Sequence, residues 1–373
     1  MMRSRSSNGW RKNLVDELSL TGLLRQPWTW PGLSLRQWDR LLRLARSANL
    51  IGRLAEVAIE QQLLERLPPQ VARHLLATSR LTAHQQQAIE WECSHLEKAL
   101  QPLGLPIVLL KGAAYAMRGQ QAARGRLFGD VDLLVPGQAL NEVEAALMLH
   151  GWRIGNIDPY DERYYRRWMH ELPPMVNHRR GTIVDVHHNI LPLSSGRVPD
   201  AATLIDASVA IPGRSLRTLS PRDMVIHSAT HLFHEGELNN GLRDLYDLDA
   251  LLVEFAAAEP QFWPSLLERA VELKLVWPVF LALRYAGMIL GTVVPEAVLA
   301  AAAKAAAIGR LKQACFDAMY LRALAPDNRL VNSPASSLAR AGLYLRAHGM
   351  RMPVWQLAPH LGRKAWLRMF KQA

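Results

Sequence analysis

The most constraining segment of this sequence is Gly129-Asp130-Val131-Asp132-Leu133-Leu134-Val135. Successive side chains of a strand face opposite sides of its sheet, so Asp130 and Asp132 share one face and Val131 and Leu133 take the other. Apolar residues flank the pair (Leu127 and Phe128 before it, Leu134 and Val135 after it), which predicts a central strand. Two neighbouring carboxylates repel, and burying them unpaired is costly. A hard cation resolves the conflict, because Mg²⁺ takes carboxylate oxygens and keeps waters and phosphates as further ligands. The bland alternative is a surface strand carrying two solvated acids.

A third acid has similar surroundings. Asp185 lies in Thr182-Ile183-Val184-Asp185-Val186-His187, a β-branched run that otherwise reads as core. A strand there beside the first one completes a carboxylate triad, able to hold two metals about 3.5–4 Å apart for an in-line phosphoryl displacement. Upstream, Leu109-Leu110-Lys111-Gly112 reads as a strand-to-helix junction with glycine at the turn. Such a junction is a natural phosphate seat, and Lys111 adds a point charge. Arg126, at the mouth of the Asp strand, is a further phosphate candidate, and Arg124 a weaker one. Each basic residue taken alone also reads as a solvated loop residue.

The pattern on either side is helical. Trp38, Leu41, Leu42, Leu44 and Ala45 recur at helical spacing, and a long helix follows Pro68-Pro69. From Leu103 the character changes to short apolar strands: 103–110, 126–135, Met175–His178 and Thr182–His188, the last two joined by an Arg-Arg-Gly turn. After Ser220-Pro221 helices resume over 221–235, 241–257, 261–272, 276–290 and 297–308. The expectation is an α+β chain: a helical region over 1–102, a small mixed sheet with helices over 103–215, and a second helical region over 216–373.

Charge refines the class. The net +11 divides into +7 over residues 1–53, +7 over residues 340–373 and −3 over the remainder. A basic chain suggests nucleic acid, but the body that holds the acids is itself mildly acidic, which argues against that partner. At 49% hydrophobic and 21% charged, composition excludes disorder and collagen-like repeats. No run approaches the roughly 18 apolar residues of a membrane span, no signal-peptide core stands at the N-terminus, and two cysteines suit a reducing, cytoplasmic setting.

Strand, Lys-Gly turn, short helix, Arg-x-x-x-Asp-x-Asp strand, helix, then a Val-Asp-x-His strand: this order resembles the nucleotidyltransferase superfamily with the DNA polymerase β-type palm. It resembles more closely the bacterial uncharacterised nucleotidyltransferases, with their LKG…R…GDIDLLV pattern. The resemblance covers about 103–190. It implies a minimal palm, an NTP substrate with Mg²⁺ (or Mn²⁺), metal binding by Asp130, Asp132 and Asp185, and Gly112 as the phosphate-turn glycine. The superfamily turn is normally Gly-Gly or Gly-Ser, so Lys111-Gly112 is a departure that removes the usual serine contact. The long gap from Gly112 to Asp130 leaves a mobile-looking loop over Gly119–Gly125.

Weaker signals surround this core. His227, His231 and His234 fall on one helix face; they read as packing residues, or with Arg243 and Asp244 as a wall of the acceptor or base pocket, a zinc site being disfavoured because no Glu completes HExxH. His187 shares the face of Asp185 and suits support of a metal ligand, general-base work or a structural role. Asp244, Asp247 and Asp249 look like a solvated helix face. Tyr160, Tyr164, Tyr165 and Trp168, interleaved with Arg163, Arg166 and Arg167, make an aromatic-basic patch. The basic ends, with Trp10, Trp28, Trp30 and Trp38 at one and Trp355, Trp366 and Phe370 at the other, suit contact with an acidic partner or an anionic membrane surface. The expected function is an Mg²⁺-dependent nucleotidyltransferase acting on a small molecule, peptide or protein. A palm retained only for binding or regulation and a nucleic-acid tailing enzyme are the competitors.

Overall fold

The structure is a computed structural model and describes residues 19–155, 158, 169–196, 198–234 and 236–351. The N-terminal helices are α1 (Leu20–Arg25), α2 (Leu35–Ser47), α3 (Ile51–Glu60) and the long α4 (Pro69–Leu100). A capping box starts α2: Ser34 Oγ accepts from Gln37 N while Gln37 Oε1 accepts from Ser34 N. Trp30 and Trp38 are fully buried with rings crossed edge-to-face at 5.6 Å. They are core residues, which corrects their reading as interfacial aromatics, because each indole closes the α1–α2 corner. Trp28, unlike Trp30 and Trp38, is exposed. Trp10, Trp355, Trp366 and Phe370, and the aromatic-basic patch over 160–168, lie outside the described residues.

Seven strands form one mixed sheet: β1 (Ile107–Leu109), β2 (Asp130–Leu134), β3 (Trp152–Ile154), β4 (Met175–Asn177), β5 (Ile183–His187), β6 (Val209–Ala210) and β7 (Leu216–Thr218). Their order is β3-β4-β5-β2-β1-β7-β6. The centre is β2, antiparallel to β1 and parallel to β5. Helices α5 (Lys111–Met117) and α6 (Leu140–Leu149) follow β1 and β2, and α7 (Ala201–Asp206) precedes β6. The sheet is wider than the sequence suggests. A two-residue strand such as β6 has no room for a periodic pattern, and β7 carries the sheet past the expected boundary at 215. β2 is also shorter than 126–135, because Phe128 N bonds the Gln85 side chain (3.2 Å) instead of a neighbouring strand.

The C-terminal helices are α8 (Pro221–His234), α9 (Gly241–Ala258), α10 (Phe262–Glu272), α11 (Val276–Tyr285), α12 (Glu296–Ala305), α13 (Arg310–Ala323) and α14 (Pro334–Arg351). α11 runs into a π turn over Ala286–Leu290. One continuous apolar cluster extends from Leu20 to Leu343, so the three regions of the sequence share a single core.

A buried ion network joins them. Asp247 of α9 binds Arg53 of α3 (2.8 Å) and Arg126 ahead of β2 (2.9 Å). Arg53 also donates to the backbone oxygens of Gln121 (2.9 Å), Ala122 and Arg124. Gly52 and Gly125 lie back to back: a Cβ on Gly52 would meet the Gly125 oxygen at 2.2 Å, and Gly125 itself has φ +62°. Glu254 accepts from Gln121 N at 2.8 Å. The Gly119–Gly125 loop is therefore clamped between α3 and α9, contrary to its mobile appearance in sequence. Gly125 serves that close approach, and Gly119 supplies a left-handed turn at φ +65°. The supposedly solvated acids are likewise engaged: Asp247 is buried, Asp244 takes Arg243, and Asp249 accepts from Thr292 Oγ1.

Candidate active site

Parallel pairing places Asp132 directly beside Asp185, with Asp130 opposite Ile183. Val131 and Leu133 of β2 and Val184 and Val186 of β5 are buried on the other face, so the apolar alternation fixes which way the acids point. Asp130 stands exposed at the strand's start, Asp132 is buried, and Asp185 lies between these extremes.

The acids differ sharply in electrostatics. Burial would raise the pKa of Asp132, but the Lys111 charge and a hydrogen bond to His187 outweigh it and hold the carboxyl well below the usual range. Lys111 Nζ lies 2.9 Å and His187 Nε2 3.1 Å from Asp132 Oδ1. Asp185 has no such help. Burial first, then the charges of Asp132, Glu171 and Asp130, push it up to about 7. Its Oδ1 is buried without a hydrogen-bond partner among the described residues. An acid that repels its neighbours and keeps a lone oxygen is a ligand position for a hard cation; the donor set fits a divalent metal.

Lys111 reaches Asp132 from a strained start. Its φ of +45° is unusual for a residue with a side chain, and it opens α5 directly after β1. Strain of this sort persists where the surroundings over-determine it, here by the ion pair. Gly112 is held by packing: a Cβ there would lie 2.2 Å from Arg126 Nη1.

The family model described as "Uncharacterised nucleotidyltransferase" matches residues 34–291. The chain belongs to this family. No curated protein matches it. The match takes in the whole sheet together with α2–α11, and the mixed α/β architecture agrees with a nucleotidyltransferase fold.

Sequence reasoning missed one group at the site. Glu171 pairs with His187 across an isolated bridge, and its Oε2 lies 3.3 Å from His187 Nδ1. His170 joins them, so that one ligand atom from each of His170, Glu171 and His187 falls within 4.8 Å of the others. No periodicity marks Glu171 in sequence; only the fold carries it to β5. His187 thus bridges two carboxylates. Burial would lower its pKa, but its hydrogen bond to Asp132 and the Glu171 charge raise it. An imidazole with both nitrogens so engaged by carboxylates favours support of Asp132 over general-base work.

The remaining sequence candidates are placed as follows. Arg126 is buried against Asp247 and Phe128 instead of opening onto the strand's mouth. Burial would lower its pKa, but the Asp247 charge and hydrogen bond raise it. This corrects its reading as a phosphate contact, because its charge is committed to the Arg53–Asp247 network. Arg243 pairs with Asp244 through Nε (2.9 Å) and Nη2 (2.6 Å). On α8, His227 is buried and kept neutral by burial and by the Lys111 charge, with His231, Asp132 and His187 also in its field. The histidine face therefore does meet the palm, and His231, half-buried one turn further on, continues it. Among the described residues no helix is long and apolar enough to cross a membrane.

Proposed function

We propose that the chain transfers a nucleotidyl group from an NTP to an acceptor, releasing pyrophosphate, with Mg²⁺ (or Mn²⁺) held by Asp130, Asp132 and Asp185. The observation that carries this reading is the Asp132–Asp185 register with the partnerless Asp185 Oδ1. Bound there, the metal would supply the positive charge that a triphosphate and its departing pyrophosphate require. Lys111, one side-chain length from Asp132, serves the triphosphate as a point charge when it leaves that carboxylate. Gly112 keeps the same turn free of a side chain.

Asp185 Oδ1 would be a ligand of the metal ion that activates the acceptor's hydroxyl. His187, held by Glu171, fixes Asp132 in place. His231 and Arg243 belong to the walls on the acceptor side. The mildly acidic body favours a small-molecule, peptide or protein acceptor over nucleic acid. Incubation of cell extract with each α-labelled NTP and Mg²⁺ tests the reading: wild type labels an acceptor, and Asp132→Asn does not. Equal labelling by Asp132→Asn would defeat it.

A further inference from the structure

A second site lies along the same helix. A cavity of about 360 Å³ is bounded by Ser195, His234, Lys274, Trp277, Lys312 and Arg346, and no Asp or Glu among the described residues lines it. Three of these residues carry fixed positive charge. The six residues come from five separate places in the chain: the loop after β5, the end of α8, the α10–α11 turn with the start of α11, α13 and α14.

Arg346 is the telling member. The two fully buried arginines, Arg53 and Arg126, share Asp247, and half-buried Arg269 and Arg284 take Asp223 and Asp317. The Arg346 guanidinium has only neutral contacts among the described residues. It lies 4.1 Å over the Trp277 ring and 5.2 Å from Phe316, and it donates to Tyr320 Oη (3.2 Å) and the Phe233 oxygen (3.5 Å). Burial lowers its pKa, and among the described residues only Tyr320 and Tyr285 act the other way. A desolvated cation without a counter-charge is costly. A planar guanidinium with donors to spare, stacked on an indole, suits a phosphate oxygen pair. His234 crosses the same indole edge-to-face at 5.6 Å.

The cavity is in line with the acids. His227, His231 and His234 are spaced as one face of α8; His227 feels Lys111 and Asp132, and His234 borders the cavity seven residues on, about 10 Å along the axis. Ser195 follows Asp185 on the chain by ten residues. We propose that this cavity seats a phosphate group of the acceptor, placing the acceptor's nucleophile toward the acids at the other end of the α8 histidine face. The acceptor is then a phosphorylated small molecule that reaches from the cavity to the acids. This assignment rests on the transferase reading, whereas phosphate binding in the cavity does not.

The test uses the full chain without metal and follows melting temperature with inorganic phosphate or acetate at matched ionic strength. Phosphate raises the midpoint of wild type and of Lys111→Met by about 1–3 °C, and leaves Arg346→Met and Lys312→Met unmoved or nearly so. An equal rise in Arg346→Met, or a rise lost in Lys111→Met, puts the anion elsewhere and overturns the site. An equal rise with acetate overturns the phosphate assignment. A purely structural Arg346 would lower the midpoint on substitution equally with and without phosphate. In the labelling assay, Arg346→Met loses transfer while its binding of a fluorescent NTP analogue is unchanged; loss of NTP binding overturns the acceptor role. Absence of transfer by wild type removes the transferase reading and the acceptor role, and the phosphate result still decides the site.

Discussion

Asp185→Asn is expected to make the metal-free protein more stable, by a clearly larger margin at pH 8 than at pH 5. In the folded state the carboxyl titrates near 7 instead of its ordinary 3.8. Between those values the folded protein binds a proton that the unfolded chain has released, so stability falls as pH rises through this window. About three pH units at ~1.4 kcal/mol each set an upper bound of about 4 kcal/mol for the ionised carboxylate above pH 7. Partial exposure of the group reduces this to roughly 2–4 kcal/mol. For a chain of this length, a specific unfolding entropy of ~2 cal/mol/K per residue converts that to about 3–5 °C. Calorimetry of wild type and Asp185→Asn at pH 5 and pH 8, both in EDTA, reads the difference directly. Adding Mg²⁺ at pH 8 should raise the wild-type midpoint and leave the Asn variant in place. A variant no more stable than wild type at pH 8, or one offset equally at both pH values, would refute the reasoning, because neither outcome is compatible with a carboxylate that burial and its neighbours destabilise.

Other consequences follow from the packing. Asp247→Ala leaves the Arg53 and Arg126 guanidiniums buried without a counter-charge and should cost about 3–5 kcal/mol in urea unfolding; a loss below about 1 kcal/mol would contradict the network. Gly125→Ala, strained at φ +62° and in collision with Gly52, should expose the 119–125 segment to limited proteolysis and lower the melting midpoint. At position 111, glycine relieves the φ of +45° while methionine does not. Lys111→Gly should therefore be more stable than Lys111→Met by about 1 kcal/mol, and both should bind NTP more weakly than wild type. The reverse stability order would show that the turn carries no strain.

Much of the central sheet was legible because β2 and β5 are amphipathic at period two and their acids interrupt an otherwise apolar run. The parallel register that brings Asp132 beside Asp185 satisfies that alternation. The helices on either side were legible for the same reason at period 3.6, Ser34 and Gln37 marking a start and the Trp38–Ala45 stripe marking a buried face. What was hidden depends on contacts between distant segments. Arg126 reads as a free cation until Asp247, 121 residues on, is placed against it. Gly125 reads as freedom until Gly52 and Arg53 close on the loop. Glu171 has no local signature; its role arises because the chain after the 160–168 segment returns along β5. β6 and β7 are too short for any periodic signal, and Trp30 sat in a basic segment whose charge masked its burial.

The central claim is nucleotidyl transfer, and the position of the label decides it most directly. Wild-type protein is incubated with Mg²⁺, extract and the accepted NTP labelled either at the α- or at the γ-phosphorus. The account predicts that α label enters the acceptor and γ label leaves as pyrophosphate, and that Asp130→Asn, Asp132→Asn and EDTA abolish both. Label from the γ position in the acceptor, or α label transferred equally by the Asp132 variant, would contradict it.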